Sequence, residues 1–145
     1  MNQPNQSITG IAEIALRVHD LALMRKFYEQ IIGLEVLREI NDSKGTIIFY
    51  AVGAGNDHLA LFEEKWMDWF TRGKSPKTEP RLTTLSHFAI RIALDDFESE
   101  KKRLEQLGIE IIHSNTSSWL HCHMFYFFDP EENLIEFNSY DESLR

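Results

Sequence analysis

The chain has 145 residues, with 23 acidic and 15 basic side chains and a formal net charge of −8. That length fits one domain and removes roughly 68% of the unfolded surface from water, so folding requires no disulfide or metal staple. The single cysteine, Cys122, excludes an internal disulfide, no apolar run approaches the ~20 residues of a membrane span, and the acidic balance argues against nucleic-acid binding. The segment Met1 to Ser7 lacks the basic and apolar regions of a secretory signal, which makes a cytoplasmic protein the expectation.

In chain order, Ile11 to Val18 alternates apolar and polar residues and is predicted as a strand. Asp20 then stands as an acidic N-cap before a helical pattern through Leu21, Met24, Phe27, Tyr28 and Ile31, which stops at Gly33. Strands are predicted at Leu34 to Leu37, Thr46 to Ala51 and His58 to Phe62. The polar stretch 63–83, with Trp66, Trp69, Phe70, Pro76 and Pro80, reads as a linker that begins with a short amphipathic helix. The same order then repeats. Leu85 to Ile92 is a strand lying over the first at an offset of 74 residues, between Glu13 and His87. Asp95 caps a helical pattern through Phe97, Leu104 and Leu107, with Glu98 placed to close a capping box and Gly108 at the end. Strands follow at Ile109 to Ile112, Met124 to Phe128 and Asn133 to Phe137, the last two joined by an Asp129-Pro130 turn. One domain over 1–145, with βαβββ modules at 8–62 and 84–138, is the expected organisation.

Phe125 to Phe137, an aromatic strand, an Asp-Pro turn and Asn-x-Ile-Glu, resembles the closing motif of the vicinal oxygen chelate superfamily, the group of glyoxalases, extradiol dioxygenases and bleomycin-resistance proteins. Ser86 to Ile90 resembles the opening strand of that family's second module, and Arg17 to Leu21 with Phe27-Tyr28 and Gly33-Leu34 the opening of its first. The resemblance implies an α+β fold in which two tandem βαβββ modules form a half-open eight-stranded barrel-like sheet with helices on the outside. It also implies a homodimer, and a divalent ion held on the concave side of the strands.

Carried over position by position, the resemblance assigns metal ligands to His87 and Glu136, and to Glu13, which lies where the family most often has His or Gln. An offset of 75 from Glu136 gives Leu61 as the fourth position, where leucine cannot bind metal. Parity with Leu61 points Asp57 inward and His58 outward, unless a bulge reverses them; both are kept as possible ligands. One imidazole and two carboxylates suit Mn, Fe, Ni or Zn. The bland alternative pairs Glu13 with Arg17 or Arg91 in a metal-free polar cavity. Arg17 and Arg91 share strand parity with Glu13 and His87, so either could hold a substrate carboxylate or phosphate, or form an internal ion pair. His121-Cys122-His123 lacks a second Cys or His pair and reads as ordinary strand residues, with His123 kept as a substrate-binding candidate beside Tyr126.

Two functions are therefore expected. The first is a metal-dependent isomerase, lyase or dioxygenase acting on a small oxygenated molecule chelated by the ion, with Glu13 moving the proton. The second is a metal-free binding or sequestering protein of the bleomycin-resistance type, favoured by Leu61 and opposed by His87 with Glu136.

Overall fold

The computed structural model describes residues 11–66 and 85–145. The predicted linker tryptophan Trp69, with Phe70, Pro76 and Pro80, lies outside them, while Lys65 and Trp66 are helical as expected. The chain forms two compact units, Met1–Leu21 with Leu34–Gly73, and Ala22–Gly33 with Lys74–Arg145. The sequence modules and the units therefore differ in one respect: the helix of the first repeat belongs to the second unit.

Unit 1 is a four-stranded mixed sheet of β1 (Glu13–Val18), β2 (Val36–Asp42), β3 (Gly45–Ala51) and β4 (His58–Glu63), in the order β1-β4-β3-β2. β1 runs parallel to β4 and the other pairs are antiparallel. Period-two alternation sends Leu16, Val18, Ile48, Tyr50, Leu59 and Leu61 to one buried face. The opposite face carries Glu13, Ala15 and Arg17 from β1 and, level with them, His58, Ala60 and Phe62 from β4. The β2–β3 hairpin closes at Gly45, whose φ of +111° disfavours any side chain. A Cβ there would lie 2.7 Å from the Glu63 carboxylate that accepts the Thr46 N–H.

Unit 2 repeats the topology with β5 (Phe88–Arg91), β6 (His113–Ser117), β7 (Cys122–Phe128) and β8 (Leu134–Tyr140), in the order β5-β8-β7-β6. Its buried face is aromatic: Phe97, Phe125, Phe127 and Phe137 meet at ring-centroid distances of 5.1–5.5 Å. Helix α1 (Leu21–Lys26) passes into a π-helical stretch, Phe27–Ile32, because the Gly33 N–H, with φ +86°, reaches back to the Tyr28 carbonyl. Met24, Phe27 and Tyr28 are buried, and the Tyr28 hydroxyl donates to Asp129 at 2.8 Å. Arg103 of α2 (Phe97–Gln106) donates to the Ile31 carbonyl.

Two predicted details change. The capping box at Asp95 and Glu98 does not form: a 3₁₀ turn at Leu94–Asp96 leads into α2, and Asp96, the residue before the helix, makes no side-chain cap. The strand expected at Ile109 to Ile112 begins instead at His113, because the Ile109 N–H closes the helix end on the Leu104 carbonyl and is withheld from the ladder.

Candidate functional site

In unit 2, Ala89 stands opposite Glu136, and Glu136 opposite Tyr126, which stands opposite His113. Side chains paired in register share a face, so His87, one residue before β5 and two before Ala89, joins this row. His87 Nε2 lies 3.1 Å from Glu136 Oε2. The other carboxylate oxygen of Glu136 accepts from the Asn138 amide at 3.2 Å, and His87 Nδ1 is 3.0 Å from the Ser86 hydroxyl. Glu136 is nearly buried while His87 is half-exposed, so the carboxylate is held from below and the imidazole faces out. Tyr126 presents its ring edgewise to His87 at 5.7 Å and stacks on His113 at 5.8 Å. Burial first, and then Glu136 beside it, push the Tyr126 phenol above the usual tyrosine range, so it stays a neutral donor. A cavity of about 210 Å³ opens next to this row, lined by Ser86, His87, Phe88, Phe128, Asn133 and Leu134 among others.

Unit 1 holds a second pair. Glu13 and His58 are register partners, and His58 Nε2 lies 2.6 Å from Glu13 Oε2. His58 Nδ1 faces the Asn56 carbonyl at 3.1 Å. With an acceptor at each nitrogen the imidazole favours its charged form: the Asn56 carbonyl, then Glu13, raise its pKa above the usual histidine value. The expected parity is thus reversed. His58 shares the face of Glu13, and Asp57 sits exposed in the turn before β4, where its carbonyl accepts the Val52 N–H. The error came from Leu61. Ala15 is to Ala60 as Ala89 is to Glu136, so the repeat equivalent of Glu136 is Ala60, and Leu61 points to the buried opposite face. Ala60 packs with Ile47, Phe62 and Trp66, which makes the middle of this face apolar.

His123 departs from its expected place. It stands on the aromatic face of unit 2, opposite in parity to Tyr126, with Nε2 3.0 Å from Asp141, Nδ1 2.8 Å from Thr116 and its ring against Phe97. The strand alternation that brings Tyr126 to Glu136 turns His123 away from it. Arg91 does lie on the Glu136 face, and Arg17 on the Glu13 face. The sequence reading missed His113, Asn138 and Tyr140. Counting by two from Glu136 would have found the last pair, but His113 needed the β6–β7 register. Among the described residues no group of three or more His, Cys, Asp or Glu side chains is placed to hold a metal ion; of the expected ligands, Glu13 meets His58 and His87 meets Glu136.

The family model for the glyoxalase/bleomycin resistance protein/dioxygenase superfamily matches residues 10–137, nearly the whole chain. The chain belongs to this superfamily. Among curated relatives of this glyoxalase-type chain, the glutathione transferase FosA of Serratia marcescens is 37% identical over 57 residues, 39% of this chain and 38% of that protein. The match thus spans well under half of the relative's length. A structure of the fosfomycin resistance protein FosX from Listeria monocytogenes, complexed with Mn(II) and a dihydroxypropylphosphonic acid, aligns with a TM-score of 0.65 at 19% identity, covering 95% of each chain. TnmS3, an antibiotic binding protein from Streptomyces, aligns with a TM-score of 0.68 at 18% identity over 94% of this chain and 100% of its own. At these identities the two structures establish the superfamily fold and leave the reaction open.

Proposed function

We propose that the chain is a divalent-metal-dependent enzyme of the isomerase, lyase or dioxygenase type, acting on a small oxygenated molecule. The observation that carries this reading is the His87–Glu136 pair on the open face of unit 2. Two donors bound to one ion at about 2.1 Å stand roughly 3.0–3.4 Å apart at octahedral or tetrahedral angles. His87 Nε2 and Glu136 Oε2 are 3.1 Å apart, and the Asn138 amide, next along the same face, donates to the other carboxylate oxygen. Glu13 stays a proposed ligand by family resemblance alone, and within unit 1 its carboxylate meets His58, the other possible ligand there. This nitrogen and oxygen set suits Mn, Fe, Ni or Zn, and the FosX complex with Mn(II) supports a divalent ion.

Such an ion, when bound, supplies Lewis-acid polarisation of the substrate oxygens. Tyr126, kept protonated beside Glu136, has its hydroxyl directed to the Met124 sulfur at 3.2 Å, a weak acceptor that it exchanges for developing negative charge on the substrate in this reading. The short Glu13–His58 contact lets the carboxylate pass or receive a proton, which fits a proton-moving role for Glu13. A cytoplasmic location and, by family resemblance, a homodimer complete the reading; the charge of −8 supports the lack of a nucleic-acid partner, and no helix among the described residues is long and apolar enough to cross a membrane.

The apolar cluster of Ile47, Phe62 and Trp66 on the Glu13 face favours a second reading, metal-free sequestration of a ligand. Calorimetric titration with Mn(II) separates the two. His87→Ala and Glu136→Ala should each weaken the ion by tenfold or more, whereas His123→Ala, on the other face, should leave it unchanged. Unchanged affinity in the first two variants discards the enzyme reading in favour of sequestration.

A further inference from the structure

On the Glu136 face of unit 2, Arg91 has no carboxylate partner among the described residues. Arg91 is exposed and level with Asn138, two positions along β5 from the Ala89 that faces Glu136. A strand rise near 3.3 Å puts about 7 Å between those levels. The guanidinium carbon of Arg91 lies 4.6 Å from the centroid of the Tyr140 ring, and Tyr140 shares the face of Glu136. A guanidinium over an aromatic face is attracted by the ring and keeps N–H groups available to an acceptor.

Among the described residues three arginines, Arg17, Arg38 and Arg91, have no carboxylate partner and the other three have one. Arg25 pairs with Glu29, Arg103 with Glu100 and Arg145 with Glu142. Among the described residues no carboxylate pairs with Arg91; its partner is the Tyr140 ring. Arg17 holds the equivalent place in unit 1 but has Phe62 as its register neighbour, and among the described residues no ring stacks on it.

We propose that Arg91, its guanidinium carbon over the Tyr140 ring, binds a terminal oxyanion of the substrate. The substrate is then a small acid whose carboxylate or phosphoryl group lies a few bonds from the oxygens offered to His87 and Glu136; this rests on the chelate reading above. Guanidinium matches such an oxyanion with two parallel N–H bonds, which sets orientation as well as affinity. Arg91 is a binding and specificity residue in this scheme, and the chemistry stays with the His87–Glu136 end of the face.

The test is calorimetric titration of Mn(II)-loaded protein with glycerate, malate and 3-phosphoglycerate. All three offer an α-hydroxy acid, and only the last two add a terminal oxyanion. Wild type should bind at least one of the charged pair about tenfold or more tightly than glycerate, and which of them gains distinguishes carboxylate from phosphoryl recognition. Arg91→Gln, an exposed change that leaves the core intact, should bring that preference to within about twofold while glycerate and Mn(II) binding stay the same. Arg91→Lys should recover only part of it, because an ammonium lacks the fork. A variant Arg91→Gln that keeps the preference, or a wild type that has none, overturns the proposal. The chelate reading fails separately: protein that takes up no Mn(II), yet prefers the charged probes until Arg91 is replaced, keeps the anchor and loses the metal.

Discussion

Asp129 shows how one side chain organises the end of a strand. One carboxylate oxygen accepts the N–H groups of Glu131 and Asn133, and the other accepts the Asn133 amide and the Tyr28 hydroxyl. The Asp-Pro turn legible in the sequence is therefore also a tether for the first helix, which sequence alone did not indicate. Tyr28→Phe should cost about 1–3 kcal/mol, because it leaves a buried carboxylate one donor short; a urea midpoint unchanged from wild type would sink this assignment. Asp141 supplies the acid-sensitive counterpart. Hydrogen bonds from the Ser143 hydroxyl, then from His123 and the Ser143 N–H, hold its pKa down to about 2, against 3.8 for a free aspartate. A depressed carboxylate contributes stability that is fully present above the unfolded pKa and is lost as pH falls through the folded value. Asp141→Asn should therefore be less stable than wild type at pH 7, with the gap closing between pH 4 and pH 2. A gap that stays constant over that range contradicts the assignment.

At the scale of the element, one residue of register decides what a strand presents. The sequence offset of 75 put Leu61 beside the site, whereas the pairing of β1 with β4 puts Ala60 there and buries Leu61. Leu61→Glu therefore should not add a ligand. It should destabilise the fold by more than about 3 kcal/mol, since it places an unpaired carboxylate in a closed apolar layer. Thermal unfolding with and without Mn(II) checks this: extra metal-dependent stabilisation in the variant would restore Leu61 to the site. The same register places His58 on the Glu13 face, whereas His123 lies three residues from Tyr126 and so on the opposite face by strand alternation alone.

For the whole molecule, the two repeats are not the two compact units. Residues 22–33 follow β1 in the chain but pack with the second unit, where Met24, Phe27 and Tyr28 are closed off from solvent. A fragment of residues 74–145 should accordingly lose cooperative unfolding, because the Asp129 carboxylate and the surface that receives α1 are left bare. A sharp urea transition for that fragment, at the midpoint of the intact chain, would show that α1 is dispensable to unit 2.

By itself the sequence determined the repeat, its βαβββ content and the glycines that end both helices, which follow from period-two alternation and left-handed caps that need no distant partner. Its motifs also carried the resemblance to the family, and with it the singling out of His87, Glu136 and Glu13. Only the tertiary structure decided which side chains meet: His58 with Glu13, Glu136 with His87, Arg91 with Tyr140, and Tyr28 with Asp129. Such pairings depend on strand register and helix docking, which are set by contacts between segments far apart in the chain, and a one-residue shift moves a whole strand's side chains to the other face.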